Sequence, residues 1–391
     1  MNAIARVFPK VGQDSFAARI FLSFLATAGF FYINIMAALV SGLIDALHFS
    51  PSEAGLVASA NIYGASLGAL SVVFLVTRWP WRRLALVLLS GIVTLDAVSM
   101  FVTHADVLMG VRFVHGLFGG ALVGLTYSII ARTHQPDRTF GVLLIVQFGL
   151  GGLAIAFLPP LVPQFGTAAL FCSLIAFSLV ALLMMQFLAD YPVTAPPAAL
   201  VGVVGKAWSA PLILTLLVVF LFQAGNMGLA AYVIEIGRAA GLGVRETSNA
   251  LGASTWLGIL GGVLVVVLPA RFGRLWPLMT GMVITALGSW ALRWSGSLSV
   301  YFVANSLVAI TWAMCIAYLL GMCAQLRTDG RVAVLGGFVS KLGLATGPAA
   351  CAFALKSFDY VRIIDVSAVV LGVTCALCLV PALTLDRARK H

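Results

Sequence analysis

Four ionisable residues lie where an apolar sequence should carry none. Arg112 and His115 sit one turn apart in the run Val107–Ala131, Asp96 lies in the run before it, and Lys341 interrupts Gly336-Gly337-Phe338-Val339-Ser340-Lys341-Leu342-Gly343. At helical rise, Asp96 and Arg112 fall at similar depths from the same edge of two consecutive runs. A carboxylate, a guanidinium and an imidazole so placed can do two things in hydrocarbon. They can form a buried ion pair that fixes helix packing, or they can pass a proton. A charge at the bilayer centre costs at least about 2.5 kcal/mol, so such groups face protein or water and mark pathways. Lys341 has no carboxylate at its depth in its own half of the chain, and a cation so placed invites an anion. The rival is a pair with a carboxylate of the other half, Asp96 above all.

The composition says what must position these groups. The chain has 391 residues, 61% hydrophobic and 9% charged, with a mean hydropathy of +1.08. A soluble domain of that length would need far more charge to cover its surface, so the reading is an all-α polytopic membrane protein. The net charge of +10 is read as topogenic lysine and arginine, not as a nucleic-acid surface. The six cysteines all fall inside apolar runs and read as small hydrophobes. The first apolar run continues past Ala26-Thr27-Ala28 to about Ser41, too far for a signal-peptide core, so an uncleaved span is expected.

Twelve apolar segments can be cut at charge and turn signals: 16–41, 53–76, 84–103, 107–131, 141–163, 166–188, 210–234, 247–268, 275–294, 299–325, 332–355 and 363–384. Placing both termini in the cytoplasm puts sixteen of the 23 Lys and Arg on that side and five on the other, the bias that orients such chains. The longest connection, and the one rich in proline, is 189–209. The expected organisation is therefore a cytoplasmic N-terminus (1–15), a six-helix half (16–188), a cytoplasmic linker (189–209), a second six-helix half (210–384) and a cytoplasmic tail (385–391). A repeat supports two halves. Gly68-Ala69-Leu70 followed by Arg78-Trp79-Pro80-Trp81-Arg82-Arg83 is matched by Gly261-Gly262-Val263-Leu264 followed by Pro269-Ala270-Arg271-Phe272-Gly273-Arg274. Paired six-span repeats are a transporter architecture with a site near the midplane.

These residues make a resemblance nameable. The chain resembles the major facilitator superfamily over nearly its whole length. Ala270-Arg271-Phe272-Gly273-Arg274 is similar to the family's loop motif Asp-Arg-x-Gly-Arg. The Arg112-x-x-x-Gly116 stretch, with Gly119, Gly120 and Ala121, is similar to its fourth-helix motif, and Asp137-Arg138 with Gly141 to the opening of its fifth helix. The resemblance implies twelve transmembrane helices in two pseudo-symmetric halves, alternating access, and conformational-latch loops at Arg78, Arg82, Arg83, Arg271, Gly273 and Arg274. The acidic residue that opens the loop motif is missing from both copies, so the latch must rest on helix dipoles and the remaining arginines. In place of the fifth-helix Gly-Pro motif of family antiporters stand Gly149-Leu150-Gly151-Gly152 and Pro159-Pro160, which weighs against drug–proton antiport.

Spans one, four, seven and ten line the cavity in that family. The substrate-binding and coupling candidates are accordingly Arg112, His115, Lys341 and Asp96, with Tyr32, Asn34, Gln223, Asn226, Trp312 and Tyr318. Asn61, Tyr63 and Asn305 join them as polar residues within spans, while Glu235 is expected to be solvated near the outer end of span seven. Gly347-Pro348 is expected to kink span eleven. A cavity with three cationic or basic groups against one carboxylate suits a small carboxylate-bearing anion. The expectation is a secondary transporter in the inner (plasma) membrane, taking up such a solute with a co-transported proton. It is expected to be a monomer in the lipid bilayer, with no cofactor, metal or nucleic-acid partner and no enzymatic role. The alternatives are a proton-coupled drug or metabolite efflux antiporter and, from another class, a polytopic membrane enzyme or sensor. Reporter fusions after Arg138, Lys206 and Arg331 should read cytoplasmic, and fusions after Asp106 and Lys356 external; one robust reversal would break the twelve-span assignment.

Overall fold

A computed structural model describes residues 9–75, 78–191, 210–267, 275–326 and 331–388. Among these residues the regular structure is helical throughout. Span one is built from α1 (Phe16–Asn34) and α2 (Met36–Leu47), and spans two to four from α3 (Pro51–Leu75), α4 (Trp81–Ser99) and α5 (Ala105–Ile130). Span five is α6 (Pro136–Phe157), continued by a 3₁₀ turn at Pro159–Leu161 and α7 (Val162–Phe165); span six is α8 (Ala168–Met185). The second half follows as α9 (Ala210–Ala239), α10 (Val244–Val267), α11 (Leu275–Ala291), α12 (Leu298–Leu326), α13 (Arg331–Ala354) and α14 (Tyr360–Ala388). Among the described residues, ten helices are long and apolar enough by themselves to cross a membrane. α4 and α13 complete the twelve, and they are the helices that carry Asp96 and Lys341.

Helices in lipid gain nothing from hiding apolar surface, so they associate through close packing at small residues. α5 is the clearest case. A Cβ on Gly116 would meet the Asn61 carbonyl of α3, and one on Gly120 the Ala65 carbonyl. The repeat has the same mechanical meaning in both halves. Gly68 of α3 lies against the Leu117 carbonyl of α5, and Gly261 of α10 against the Ile310 carbonyl of α12. Gly347 of α13 packs on α9 at Ala224, and the helix runs on through Pro348 to Ala354.

Twelve crossings bring the first and last described residues to one face, here the terminal face; the opposite one is the far face. One apolar core runs through the whole first half and continues only into the far ends of the second, through Leu229, Tyr232 and Val233 of α9, Tyr301 of α12 and Ile363 of α14. A second core belongs to the second half alone and lies at its terminal end, around Val219, Met282, Met314 and Leu319. The halves are therefore joined on the far side and part toward the terminal face.

Polar contacts seal the far side. Arg238 of α9 reaches Asp45 of α2 at 2.9 Å and Glu235 on its own helix at 2.9 Å. The Tyr232 hydroxyl donates to the Pro51 carbonyl at 3.0 Å. Nearer mid-depth, Trp256 of α10 donates its indole N–H to the Gly149 carbonyl of α6 at 2.9 Å, and its ring lies where a Cβ on Gly152 would be. The glycines that replace the antiporter motif thus give a tryptophan of the other half its seat. Glu235 is buried and ion-paired, not solvated as its sequence position suggests. It lies on the face of α9 turned to Arg238 and the tyrosines, a facing that hydropathy cannot report.

Gly116→Leu should abolish the folded yield or lower it severely, since overpacking a close seam costs about 1–3 kcal/mol or more. Gly141→Leu, where a Cβ meets open space, should leave the yield near wild type. Size-exclusion profiles of tagged protein check both, and equal profiles would remove the seam from this account.

Candidate functional site

α4 and α5 run side by side, so Asp96 and Arg112, both fully buried, meet. Arg112 Nη1 bonds Asp96 Oδ1 at 2.7 Å. Its Nη2 donates to the Leu95 carbonyl at 2.9 Å and to Ser99 Oγ, which in turn donates to the same carbonyl at 2.7 Å. Asn61 of α3 completes the group. Its Nδ2 donates to the Arg112 carbonyl at 3.1 Å and to His115 Nδ1 at 2.8 Å. An accepting Nδ1 leaves the neutral ring's proton on Nε2, which lies 3.2 Å from Asp96 Oδ1. That approach is ionic in distance but off the hydrogen-bonding direction, and Nε2, Asp96 Oδ2 and Arg112 Nε have no protein partner. Tyr32 of α1 lies over the group, its ring 5.6 Å from the guanidinium carbon and 5.8 Å from the imidazole ring; Phe171 of α8 covers the guanidinium at 5.0 Å. The assembly joins five helices and carries no net charge with His115 neutral.

A separate cavity of about 270 Å³ lies between the halves. α1 and α2 contribute Asn34 and Met36, α6 Gln147 and Phe148, α9 Asn226 and Val233, α10 Thr255, and α12 Asn305 and Trp312. None of its lining side chains is charged. It falls just under the usual range for ligand pockets, a size that suits a small metabolite. A bonded chain braces one wall: Trp312 Nε1 donates to Gln223 Oε1 at 2.8 Å, and Gln223 Nε2 to Ser340 Oγ at 2.8 Å. Beside Ser340, Lys341 is half-buried, with its ammonium 5.5 Å from the centre of the Phe30 ring of α1. Among the described residues it has no carboxylate partner; Asp96 is held by Arg112 and His115. Phe30 precedes Ile33 and Asn34 of the cavity by one turn on the same face, so the ring that Lys341 meets borders the terminal side of the cavity.

Of the sequence candidates, Asn34, Asn226, Asn305 and Trp312 line this cavity, Gln223 braces it and Lys341 stands next to it. Arg112, His115, Asp96 and Tyr32 form the buried group within the first half. Tyr318 packs in the terminal-side core of the second half. Tyr63 bonds Thr346 across the halves at 2.9 Å. Gln147, Phe148 and Thr255 lie on α6 and α10, outside the four spans that the family resemblance singles out. The polar breaks that Gln147 and Thr255 make in apolar runs are the sequence signal for this pair of helices.

At the loop between α3 and α4, Arg78 is exposed. Arg82 bonds Asp190 at 2.8 Å and donates to the Met185, Leu188 and Ala189 carbonyls, capping α8 of its own half. Arg83 begins the exposed face of α4. Arg132 donates to the Tyr191 carbonyl at 3.2 Å, and burial pushes the Tyr191 hydroxyl up to about 12. Arg271, Gly273 and Arg274 lie outside the described residues.

If the Asp96–Arg112 pair is structural, Asp96→Asn and Arg112→Gln should each cut folded yield, because a buried pair that loses one partner costs on the order of 3–5 kcal/mol. The double variant should then recover part of the loss. Intact yield in both single variants with normal transport would exclude a structural and a coupling role alike.

A family model of the Major Facilitator Superfamily matches residues 20–235, more than half of the chain. A Bacillus subtilis (strain 168) protein that carries the name niacin/nicotinamide transporter NiaP is 23% identical over 315 residues, covering 75% of this chain and 78% of its own. The crystal structure of a mutant of the nucleoside transporter NupG superposes with a TM-score of 0.72 at 14% identity, covering 95% of this chain and 98% of that one. With its twelve helices, two halves and central cavity, this multi-pass membrane chain belongs to the Major Facilitator Superfamily.

Proposed function

We propose that the protein is a secondary active transporter that takes up a small, carboxylate-bearing organic solute by alternating access, coupled to protons. The observation that carries this reading is Lys341. It is a half-buried ammonium at mid-depth beside the inter-half cavity, with an aromatic ring over it and no carboxylate partner among the described residues. An anion would supply the missing charge, and no lining carboxylate opposes it. Arg112 is already neutralised by Asp96, which leaves Lys341 as the cation nearest the solute. The NiaP relative is named for niacin and nicotinamide, and the first of these is a small aromatic carboxylate, which agrees with this reading.

The proton is assigned to Asp96 and His115. Asp96 Oδ2, which has no hydrogen-bond partner, and His115 Nε2, which meets Asp96 Oδ1 at 3.2 Å off the hydrogen-bonding direction, offer places where a proton can be taken up or released. Tyr32 links them to α1, the helix that also carries Asn34 of the cavity. The protein works in the cytoplasmic or inner membrane with both termini inside, and the present conformation is then open toward the cytoplasm.

Lys341→Ala should raise the half-saturation concentration about tenfold or more, or abolish uptake into proteoliposomes. Lys341→Arg should retain part of the activity, since a planar fork replaces a compact ammonium imperfectly. In the otherwise unchanged chain, Lys341→Cys should react with a small aqueous thiol reagent and be protected by saturating substrate. A cysteine there that never reacts, in a protein that still transports, would sink the proposal.

A further inference from the structure

Asn61 of α3 stands in the buried group of the first half with no charge of its own, and both of its amide hydrogens are committed. Its Nδ2 donates to the Arg112 carbonyl at 3.1 Å and meets His115 Nδ1 at 2.8 Å. Both side chains are buried. A backbone carbonyl can only accept, so the Arg112 carbonyl fixes which end of the amide faces α5. An amide NH2 can only donate, so the Nδ1 beside it must be a bare acceptor. The ring is thereby held neutral with its proton on Nε2, the nitrogen 3.2 Å from Asp96 Oδ1. The charged or titratable groups around the ring are Asp96 of α4, Arg112 of its own helix and Tyr32 of α1, with the Tyr32 ring centre 5.8 Å away. Among the described residues, Asn61 is the group bonded to Nδ1.

A second proton on this ring has one place to go. Nε2 already carries a hydrogen, so the proton adds at Nδ1, against the amide hydrogens of Asn61. Donor then faces donor, and the amide must turn its Oδ1 to the ring. That turn also sets Oδ1 against the Arg112 carbonyl and breaks the bond made there. We infer that Asn61 is the positioning residue for the coupled proton: it holds His115 neutral with the hydrogen on Nε2, and a proton arriving at Nδ1 displaces it. The inference rests on the reading that this group carries the coupled proton, and it adds the residue through which protonation is felt. What Asn61 gives up is a tie between helices. Its own carbonyl lies where a Cβ on Gly116 would be, so α3 and α5 touch at this residue. Two residues on, the Tyr63 hydroxyl and Thr346 Oγ1 of α13 bond across the halves at 2.9 Å. Protonation of His115 thus acts on a helix that bridges the halves, and its partner there, α13, carries Lys341.

Solid-state nitrogen NMR of labelled histidine, in the full-length chain reconstituted into liposomes, reads this directly. His48→Asn, His104→Gln, His134→Gln and His391→Gln leave His115 as the single histidine of the five. Just above neutral pH, where an ordinary histidine is uncharged, the ring should be neutral with its hydrogen on Nε2 and Nδ1 bare. Asn61→Ala removes the donor. It should raise the pH at which the ring charges by about one unit, a tenfold gain in proton affinity and the value of one hydrogen bond to a buried group. Asn61→Asp sets an accepting carboxylate at Nδ1 and should raise that pH further. The pH of half-maximal uptake into proteoliposomes should move with it in Asn61→Ala, whereas loss of a merely structural contact would lower the rate and leave that pH in place. With Asn61 present, a neutral ring carrying its hydrogen on Nδ1 overturns the inference, as does a ring already charged above neutral pH. So do proton affinities that agree within about twofold across the three chains. Where a variant loses its monodisperse size-exclusion peak, the tautomer in the Asn61 chain decides. The coupling reading fails separately: uptake would be indifferent to a proton gradient while His115 kept its tautomer and its dependence on Asn61.

Discussion

Hydrocarbon offers a guanidinium nothing, and the first half of this molecule is arranged around that constraint. Arg112 is wholly enclosed by groups from neighbouring helices: Asp96 and the Leu95 carbonyl of α4, Ser99, and the rings of Tyr32 and Phe171. To bring those partners within reach, α5 must approach α3 and α4 closely, and the glycines that follow Arg112 permit this. Charge and seam are thus parts of one requirement. With Arg112 consumed inside the first half, the space between the halves is left to neutral amides, aromatic rings and a single nearby ammonium.

Much of this was legible in the sequence, for reasons that differ from element to element. The spans announce themselves because length and hydropathy suffice to define them. Both helices that fall short on those grounds, α4 and α13, do so while carrying ionisable residues, which is itself a signal. Asp96 and Arg112 could be placed together because equal depth on consecutive helices is a one-dimensional quantity. The group's isolation from the cavity could not be read. Depth along the membrane normal says nothing of the direction a side chain faces, and Arg112 faces α4 and not the inter-half space. Glu235 misled for the same reason. Its place near a helix end suggests water, yet its face of α9 turns toward Arg238.

The cavity residues divide in a similar way. Asn34, Asn226 and Trp312 stood out as polar or amphipathic residues on helices that the family resemblance singles out. Gln147 and Thr255 sit on the crossing pair α6 and α10, whose approach depends on Gly152 and Gly252 of opposite halves. Pairing between distant helices leaves no local trace. Only the unusual density of glycine in Gly149-Leu150-Gly151-Gly152 hinted that another helix comes close there.

The division of span one at Ile35 has a mechanical result. Ile35 leaves helical geometry at φ −110° and ψ 19°. On one side of it, α1 is fastened to the first half, where Phe24 and Phe31 stack on Phe177 at 5.2 and 4.3 Å. On the other side, Asp45 of α2 holds Arg238 of the second half at 2.9 Å. Asp45 lies ten residues beyond the joint, a lever arm of about 15 Å. A turn of only about 10° at the joint would therefore carry Asp45 some 2.6 Å by that same rise, close to the full length of the bond it makes. Asn34, whose amide borders the cavity, is the residue immediately before the pivot. Small movements where a solute would rest are thus geared up into movements large enough to unfasten the opposite side of the membrane.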